Sequence, residues 1–491
     1  MANENTYILR ETTTSQISTI NSTNSQADDE TSSQTTTDTK QLVIEPTTNR
    51  LGVTSNLHQT GFNFVNSIIG SGVIGIPYSL KTGGFGFGIF LIVLIAIITD
   101  YSLCIMVKAG NYVGVNTYQD LVRASFGSPG YWLLTFIQFL YPFIAMISYN
   151  VIIGDTITKI LIRLFNVSTS SLLANRNTLV FICSIFITFP LSMYRNISKL
   201  NKVSLISLFF VFVILVFIFI RLEALSDKIP HTADEYQFVG NGITESIGII
   251  AFAYMCHHSS FLMYESLENP TQSRWNRITH ISVGTSCLII LLYGIFGYVT
   301  FGQYSQGDLL ENYCMSDDLA NLARVLFAAT ICLTYPIECF VVREVLENAI
   351  WDGKPPQTRC HHIMITTAIV LTCFIFSTFT DCLGIVLELN GVLAAVPLAF
   401  ILPALCYLKL DPGPNLEWQK FPAFLMVLFG FAVAIVGTFL AVVRVIDGVQ
   451  CSHGRELDYC TAGHHIVNNT ATSSTLLSLI RNNTITTTIQ T

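Results

Sequence analysis

One apolar segment, residues 62–80, carries residues that an uninterrupted membrane helix does not need. It reads FNFVNSIIGSGVIGIPYSL and is long enough to cross a bilayer. Gly70, Gly72 and Gly75 loosen its backbone, and Pro77 removes a hydrogen-bond donor from it. Backbone groups freed inside a bilayer must find other partners, so broken membrane helices persist where they line a cavity or hold a ligand. The segment therefore indicates a ligand site near the bilayer midplane, with a close helix–helix contact at the small residues as the alternative.

The composition is typical of a polytopic membrane protein. Hydrophobic residues make up 51% of the 491 residues, and charged residues make up only 12%, which is about half the share in a soluble domain. The apolar residues form eleven blocks of membrane-spanning length: 62–81, 86–109, 131–163, 178–194, 203–222, 241–264, 278–301, 319–346, 363–380, 383–408 and 422–444. We therefore predict an all-α polytopic membrane protein with eleven transmembrane helices. Its charge distribution offers no basic patch for nucleic acid.

The charges in the loops predict the orientation. With the N-terminus in the cytoplasm, the inner loops are basic, for example at Arg195, Lys199 and Lys202, and the outer loops are acidic. The polar residues 1–57 are predicted to be a disordered cytoplasmic tail, before a transmembrane domain over 58–446.

Residues 447–491 are then an extracellular C-terminal tail, and their sequence agrees with that side of the membrane. Cys451 and Cys460 lie in a short polar stretch, as an extracellular disulfide would require. Candidate glycosylation sites are Asn468 and Asn482 in this tail and Asn166 in a predicted outer loop.

Two motifs resemble those of a known family. Residues 66–77, NSIIGSGVIGIP, resemble the first span of the amino acid/auxin permease superfamily. Residues 252–270, which begin FAYMCHH and end YESLENP, resemble its sixth span and the following loop. Within the superfamily, the chain is similar to the sodium-coupled neutral amino acid transporters, solute carrier family thirty-eight.

The resemblance implies a LeuT-type architecture, in which two inverted five-helix repeats with broken first and sixth helices are followed by an eleventh span. It implies sodium-coupled secondary transport of small neutral amino acids. At each helix break, N–H groups of one half-helix can bind a carboxylate, and carbonyls of the other can bind an ammonium group. The candidate substrate-binding residues are Ile69, Gly70, Ser71, Gly72, Tyr254 and Cys256.

Sodium is a hard cation that prefers oxygen ligands. The family's sodium site joins the first and eighth spans, and Asn66 matches the asparagine of the first span. Thr330 and Thr334 of the eighth span lie four residues apart, so they share one helix face. The alternative for each threonine is a hydrogen bond back to its own helix.

Four ionisable residues within predicted spans could take part in proton movement. His257 and His258 lie in a polar run of the sixth span, and Asp100 and Glu388 lie deep in other spans. A histidine changes charge near neutral pH, so we expect transport to weaken in acid if the histidines must be neutral. Packed, hydrogen-bonded side chains are the alternative for all four.

Two other functions remain open: proton-coupled amino acid transport, and an amino acid sensor with little flux. The sequence has no nucleophile elbow, HExxH motif or nucleotide loop, so we do not expect an enzyme. The expected partners are an amino acid, sodium or protons, and the lipid bilayer. We expect a monomer without an organic cofactor in the plasma membrane, with a lysosomal or other endomembrane location as the alternative.

Overall fold

The computed structural model describes residues 56–165, 168, 171–193, 201–225, 228–230, 232, 234–351, 358–380, 382–414, 417–448 and 457–460. The predicted N-terminal tail up to residue 55, the glycosylation candidates Asn166, Asn468 and Asn482, and Cys451 lie outside the described residues.

Helices form the regular structure of this part of the chain. In chain order they are α1 Leu57–Ile68, α2 Ile76–Gly83, α3 Phe85–Val113, α4 Tyr118–Leu164, α5 Arg176–Ser192, α6 Asn201–Leu225, α7 Ile243–Ala253, α8 His257–Ser266, α9 Gln272–Phe301, α10 Asp318–Trp351, α11 Arg359–Ser377, α12 Leu383–Leu410 and α13 Phe421–Asp447.

Among the described residues, nine helices are long and apolar enough to cross a membrane, if α7 and α8 are taken as one segment. The segment α1–α2 and the shorter apolar helix α5 fall on the two remaining predicted blocks. The long helix α4 packs against α5, α10, α11 and α12, and so lies at the centre of the bundle. The range of α4 contains two helical parts that meet at a kink at Gly127 (φ 67°, ψ −155°), and the predicted apolar block from residue 131 lies in the second part.

The predicted disulfide between Cys451 and Cys460 is wrong, because Cys460 is bonded to Cys314 in the loop before α10. The neighbouring Tyr459 explains the choice of partner. Its hydroxyl donates a 2.5 Å hydrogen bond to the Asn312 carbonyl, and its ring packs against Tyr304 with the centroids 5.6 Å apart. The tail cysteine is therefore held on this loop by contacts that are remote in sequence.

The same loop buries a carboxylate. Asp308 is 2% exposed, and its Oδ1 accepts a 2.8 Å hydrogen bond from the Leu310 N–H. Burial, together with the nearby Glu311 carboxylate, raises the pKa of Asp308 to about 7. The folded protein thus holds this proton more tightly than the unfolded chain does.

We expect Asp308 to make the protein less stable as the pH rises. Because the pKa of Asp308 is higher in the folded state, its contribution to stability is lost as the pH rises through about 7. Between pH 6 and 8 the loss is about 1.4 kcal/mol. Thermal unfolding in detergent should show a smaller difference between the two pH values in Asp308→Asn than in the wild type. The exposed Asp318→Asn is the control, and a variant at 308 that matches it would refute the assignment.

Candidate substrate-binding site

The first predicted span is broken where its glycines occur. Helix α1 ends at Ile68, and Ile69 (φ −83°, ψ 81°) and Gly70 (φ −109°, ψ −149°) leave the helical conformation. A 3₁₀ turn over Ser71–Gly75 then leads into α2, with Pro77 in its first turn. Proline is tolerated there because the N–H that it lacks would have no partner within the helix. The predicted break is confirmed.

The sixth predicted span is broken as well. Helix α7 ends at Ala253, and α8 begins at His257. Between them Tyr254 (φ −92°, ψ 2°) and Cys256 (φ −142°, ψ 4°) depart from helical geometry. The C-terminal end of α7 and the N-terminal end of α8 therefore meet inside one span, with dipole ends of opposite sign.

The two breaks touch each other. A Cβ atom on Gly72 would lie 2.7 Å from the Ala253 Cα and 3.0 Å from the Phe252 ring. The absence of a side chain at residue 72 thus allows the two segments to approach at backbone distance. Ser67 lies just before the first break and Ser259 just after the second. Their hydroxyl oxygens are 3.1 Å apart and connect α1 to α8.

The candidate substrate residues gather around this contact. Ile69 and Ser71 are each 3% exposed, Tyr254 is 1% exposed and Cys256 is fully buried. The Tyr254 hydroxyl is buried without a hydrogen-bond partner, so it remains available to a ligand. A Cβ atom on Gly70 would meet no atom within 4 Å, so open space adjoins the first break.

The carbonyl of Cys256 is less available than we expected for a broken helix. It accepts hydrogen bonds from the hydroxyls of Ser259 at 3.0 Å and Ser260 at 3.1 Å. The chain's own serines therefore satisfy part of the second break.

The paired histidines have different surroundings. His257 is fully buried, with its Nε2 3.1 Å from the Ser102 hydroxyl, which itself donates to the Ala399 carbonyl. Nε2 must then carry the proton and donate to Ser102. His258 packs its ring on Tyr141, with the centroids 5.6 Å apart. The proton-linked roles of both histidines stay predictions.

The threonine hydroxyls of the sodium candidates bond to their own helix. Thr330 donates to the Leu326 carbonyl at 3.0 Å, and Thr334 donates to the Thr330 carbonyl at 2.8 Å. Each oxygen keeps lone pairs for a cation. Asn66 is half-buried on α1, which packs chiefly against α6, α8 and α9, whereas α10 packs chiefly against α4 and α6. The sodium site stays a prediction.

Both acidic candidates for proton movement have a basic side chain as a close partner. The Asp100 carboxylate lies 2.7 Å from Nδ1 of His280, beside the Cys104 thiol. Glu388 is fully buried and accepts a hydrogen bond from the Arg444 guanidinium.

A network around Arg444 was missed by the sequence analysis. Arg444 also bonds Glu245 Oε2 at 2.5 Å, and Glu245 Oε1 accepts a 2.9 Å hydrogen bond from the Tyr78 hydroxyl. The network joins α2, α7, α12 and α13. Its signal in the sequence was a lone arginine in the last turn of an apolar helix, alongside two intramembrane glutamates.

The comparisons with known proteins agree with this architecture. A family model described as "Transmembrane amino acid transporter protein" matches residues 53–443. A Danio rerio protein named "Putative sodium-coupled neutral amino acid transporter 11" is 43% identical over 429 residues, which is 87% of this chain and 94% of that protein. A Saccharomyces cerevisiae protein named "Vacuolar amino acid transporter 2" is 30% identical over 411 residues, covering 81% of this chain and 86% of the relative.

A solved structure shares the fold at low sequence identity. It is the crystal structure of a manganese transporter from Eremococcus coleocola, with a TM-score of 0.52 and 12% identity. The match covers 81% of this chain and 88% of that chain. The family match extends over both helix breaks and nearly all of the membrane helices, and the chain therefore belongs to the transmembrane amino acid transporter family, with similarity to the sodium-coupled neutral amino acid transporters.

Proposed function

We propose that this protein is a secondary active transporter that carries small neutral amino acids by alternating access, coupled to sodium. The observation that carries the proposal is the contact between the two breaks at Gly72, with open space beside Gly70. A free amino acid has one carboxylate and one ammonium group, and opposed half-helix ends offer partners for both. Ile69, Ser71, Tyr254 and Cys256 would surround the ligand.

We further propose eleven spans in two inverted repeats of five, followed by α13. The broken segments α1–α2 and α7–α8 then occupy equivalent places in the two repeats, as in transporters with a midplane site. The N-terminus would be cytoplasmic, and Cys314 and Cys460 would lie outside, where a disulfide persists. The protein would act as a monomer in the plasma membrane. The name of the yeast relative supports a vacuolar or lysosomal location as the second possibility.

Uptake into liposomes tests this function. Purified protein is reconstituted, and labelled alanine uptake is measured with a sodium gradient and a proton gradient imposed separately. We expect the sodium gradient to drive accumulation above the external concentration. Accumulation driven by protons alone would establish the proton-coupled alternative. Saturable binding without uptake would indicate an amino acid sensor.

We expect Asn66→Ala and Thr334→Ala each to raise the sodium concentration for half-maximal uptake several-fold. Each substitution removes one oxygen from a cation with few alternative ligands. The control is Thr372→Ala, which removes an exposed hydroxyl with the same kind of back-bond, to the Ala368 carbonyl at 2.7 Å. Sodium dependence that is equal in all three variants would remove both residues from the sodium site.

A further inference from the structure

Helix α10 carries a buried carboxylate near its middle. Glu338 is 9% exposed, and its Oε2 has no hydrogen-bond partner. Among the residues that the structure describes, no Lys or Arg side chain forms an ion pair with it. Two other buried acids differ, because Glu388 bonds Arg444 and Asp155 lies 2.6 Å from Arg176.

Two tyrosines of α4 connect Glu338 to the helix breaks. The carboxylate interacts electrostatically with the hydroxyls of Tyr141 and Tyr149. The Tyr149 hydroxyl lies near the Ser71 side chain in the first break. The Tyr141 ring packs against Phe252 before the second break, with the centroids 5.7 Å apart, and against His258 after it. Tyr141 and Tyr149 thus lie between the surroundings of Glu338 and the residues of the two breaks.

Other buried polar atoms around Glu338 also lack partners. Tyr335 lies one helical turn before it, is fully buried and has a hydroxyl without a hydrogen bond. Asn150 of α4 faces Tyr335, is 1% exposed, and has neither amide atom bonded. The Tyr335 ring packs against the Tyr149 ring, with the centroids 6.3 Å apart.

Buried polar atoms that lack partners destabilise the protein unless a bound ligand supplies those partners. A buried polar atom without a partner is destabilising, and an uncompensated buried charge is more so. The Glu338 carboxylate, the Tyr335 hydroxyl and the Asn150 carbonyl oxygen all offer lone pairs. Oxygen ligands with one negative charge match a small cation of charge one, either an ammonium group or sodium.

We infer that Glu338, with Tyr335 and Asn150, forms a binding site for a small monovalent cation beside the two helix breaks. The inference rests on the proposed function for the source of the cation, which is the ammonium group of the amino acid or the coupling sodium. In either case the negative charge of Glu338 is compensated when the transporter is loaded and uncompensated when it is empty.

Thermal unfolding of the purified protein in detergent tests the site without requiring transport. Wild type, Glu338→Gln and the control Glu347→Gln are compared at constant ionic strength in sodium, methylammonium and choline chloride. Glu347 lies on the same helix and has a 19% exposed side chain. We expect sodium or methylammonium, but not choline, to stabilise wild type and Glu347→Gln. Glu338→Gln should require an at least tenfold higher concentration of that cation for the same stabilisation.

The source of the cation follows from which response is lost. Loss of only the sodium response assigns the site to the coupling ion, and loss of only the methylammonium response assigns it to the substrate ammonium. As a second comparison for the substrate, thermal stabilisation by alanine is compared with stabilisation by propionate, which lacks the amino group. Labelled uptake by the wild type separately tests the proposed function.

A Glu338→Gln variant that responds to cations within twofold of the wild type would overturn the inference. So would a wild type that is stabilised only by lower pH, because a proton would then neutralise Glu338. Failure of alanine uptake alongside a cation response that depends on Glu338 would reject the proposed function and keep the site.

Discussion

Replacing Gly72 with alanine is expected to reduce amino acid uptake at least tenfold while the protein still reaches the membrane. The new methyl group would lie 2.7 Å from the Ala253 Cα, which is closer than two non-bonded carbons can approach. The clash is with backbone, so it cannot be relieved by a rotamer change, and the two broken segments must separate. Overpacking of this kind costs about 1–3 kcal/mol, which disturbs the site without unfolding the whole bundle.

Gly70→Ala is the matched control, because a Cβ atom there would meet no atom within 4 Å. It should retain most of the uptake, whereas Gly70→Leu, which fills the adjoining space, should not. Uptake of labelled alanine is normalised to the amount of folded protein, measured by size-exclusion chromatography in detergent. Normal uptake by a well-folded Gly72→Ala protein would contradict the placement of the substrate between the two breaks.

Replacing Arg444 with methionine is expected to destabilise the protein by about 3–5 kcal/mol, because two buried carboxylates lose their shared cation. Glu388 is fully buried, and Glu245 has an 8% exposed side chain, so water cannot readily replace the guanidinium. The loss should appear as a lower unfolding temperature in detergent. Since the network joins both broken spans to α12 and α13, uptake should fall as well.

Two further variants isolate the cause. The double variant Arg444→Met with Glu388→Gln should recover part of the lost stability, because it removes one of the unpaired charges. Arg163→Met removes an exposed ion pair with Asp318 and should change stability by less than about 1 kcal/mol. If Arg444→Met is no more destabilising than Arg163→Met, the network does not stabilise the bundle.

The first helix break could be predicted from sequence because its causes are local. Glycine and proline change the backbone wherever they occur, and Gly70 and Pro77 lie inside a block that was otherwise long and apolar enough to be a helix. The second break has no proline, and its prediction rested on the resemblance to a family with a broken sixth helix and on the polar run from Cys256 to Ser260. Its position at Tyr254 to Cys256 came from the structure.

The disulfide shows where local reasoning fails. Cys451 and Cys460 are close in sequence, yet Cys460 is bonded to Cys314, which lies 146 residues earlier. The choice was made by the docking of Tyr459 on the loop before α10, through contacts with Asn312 and Tyr304. Neither the periodicity nor the composition of the tail predicts those contacts.

The sequence by itself determined the membrane class, the positions of the apolar blocks and the first broken helix, because hydrophobicity and backbone freedom belong to single residues and short runs. The tertiary structure decided which side chains meet. Lipid tails are as apolar as leucine, so hydrophobic pattern does not say which helices pack together. Only the packing of α10 on α4 places Glu338 beside two tyrosines, and only the approach of α13 to α7 and α12 provides a cation for Glu245 and Glu388.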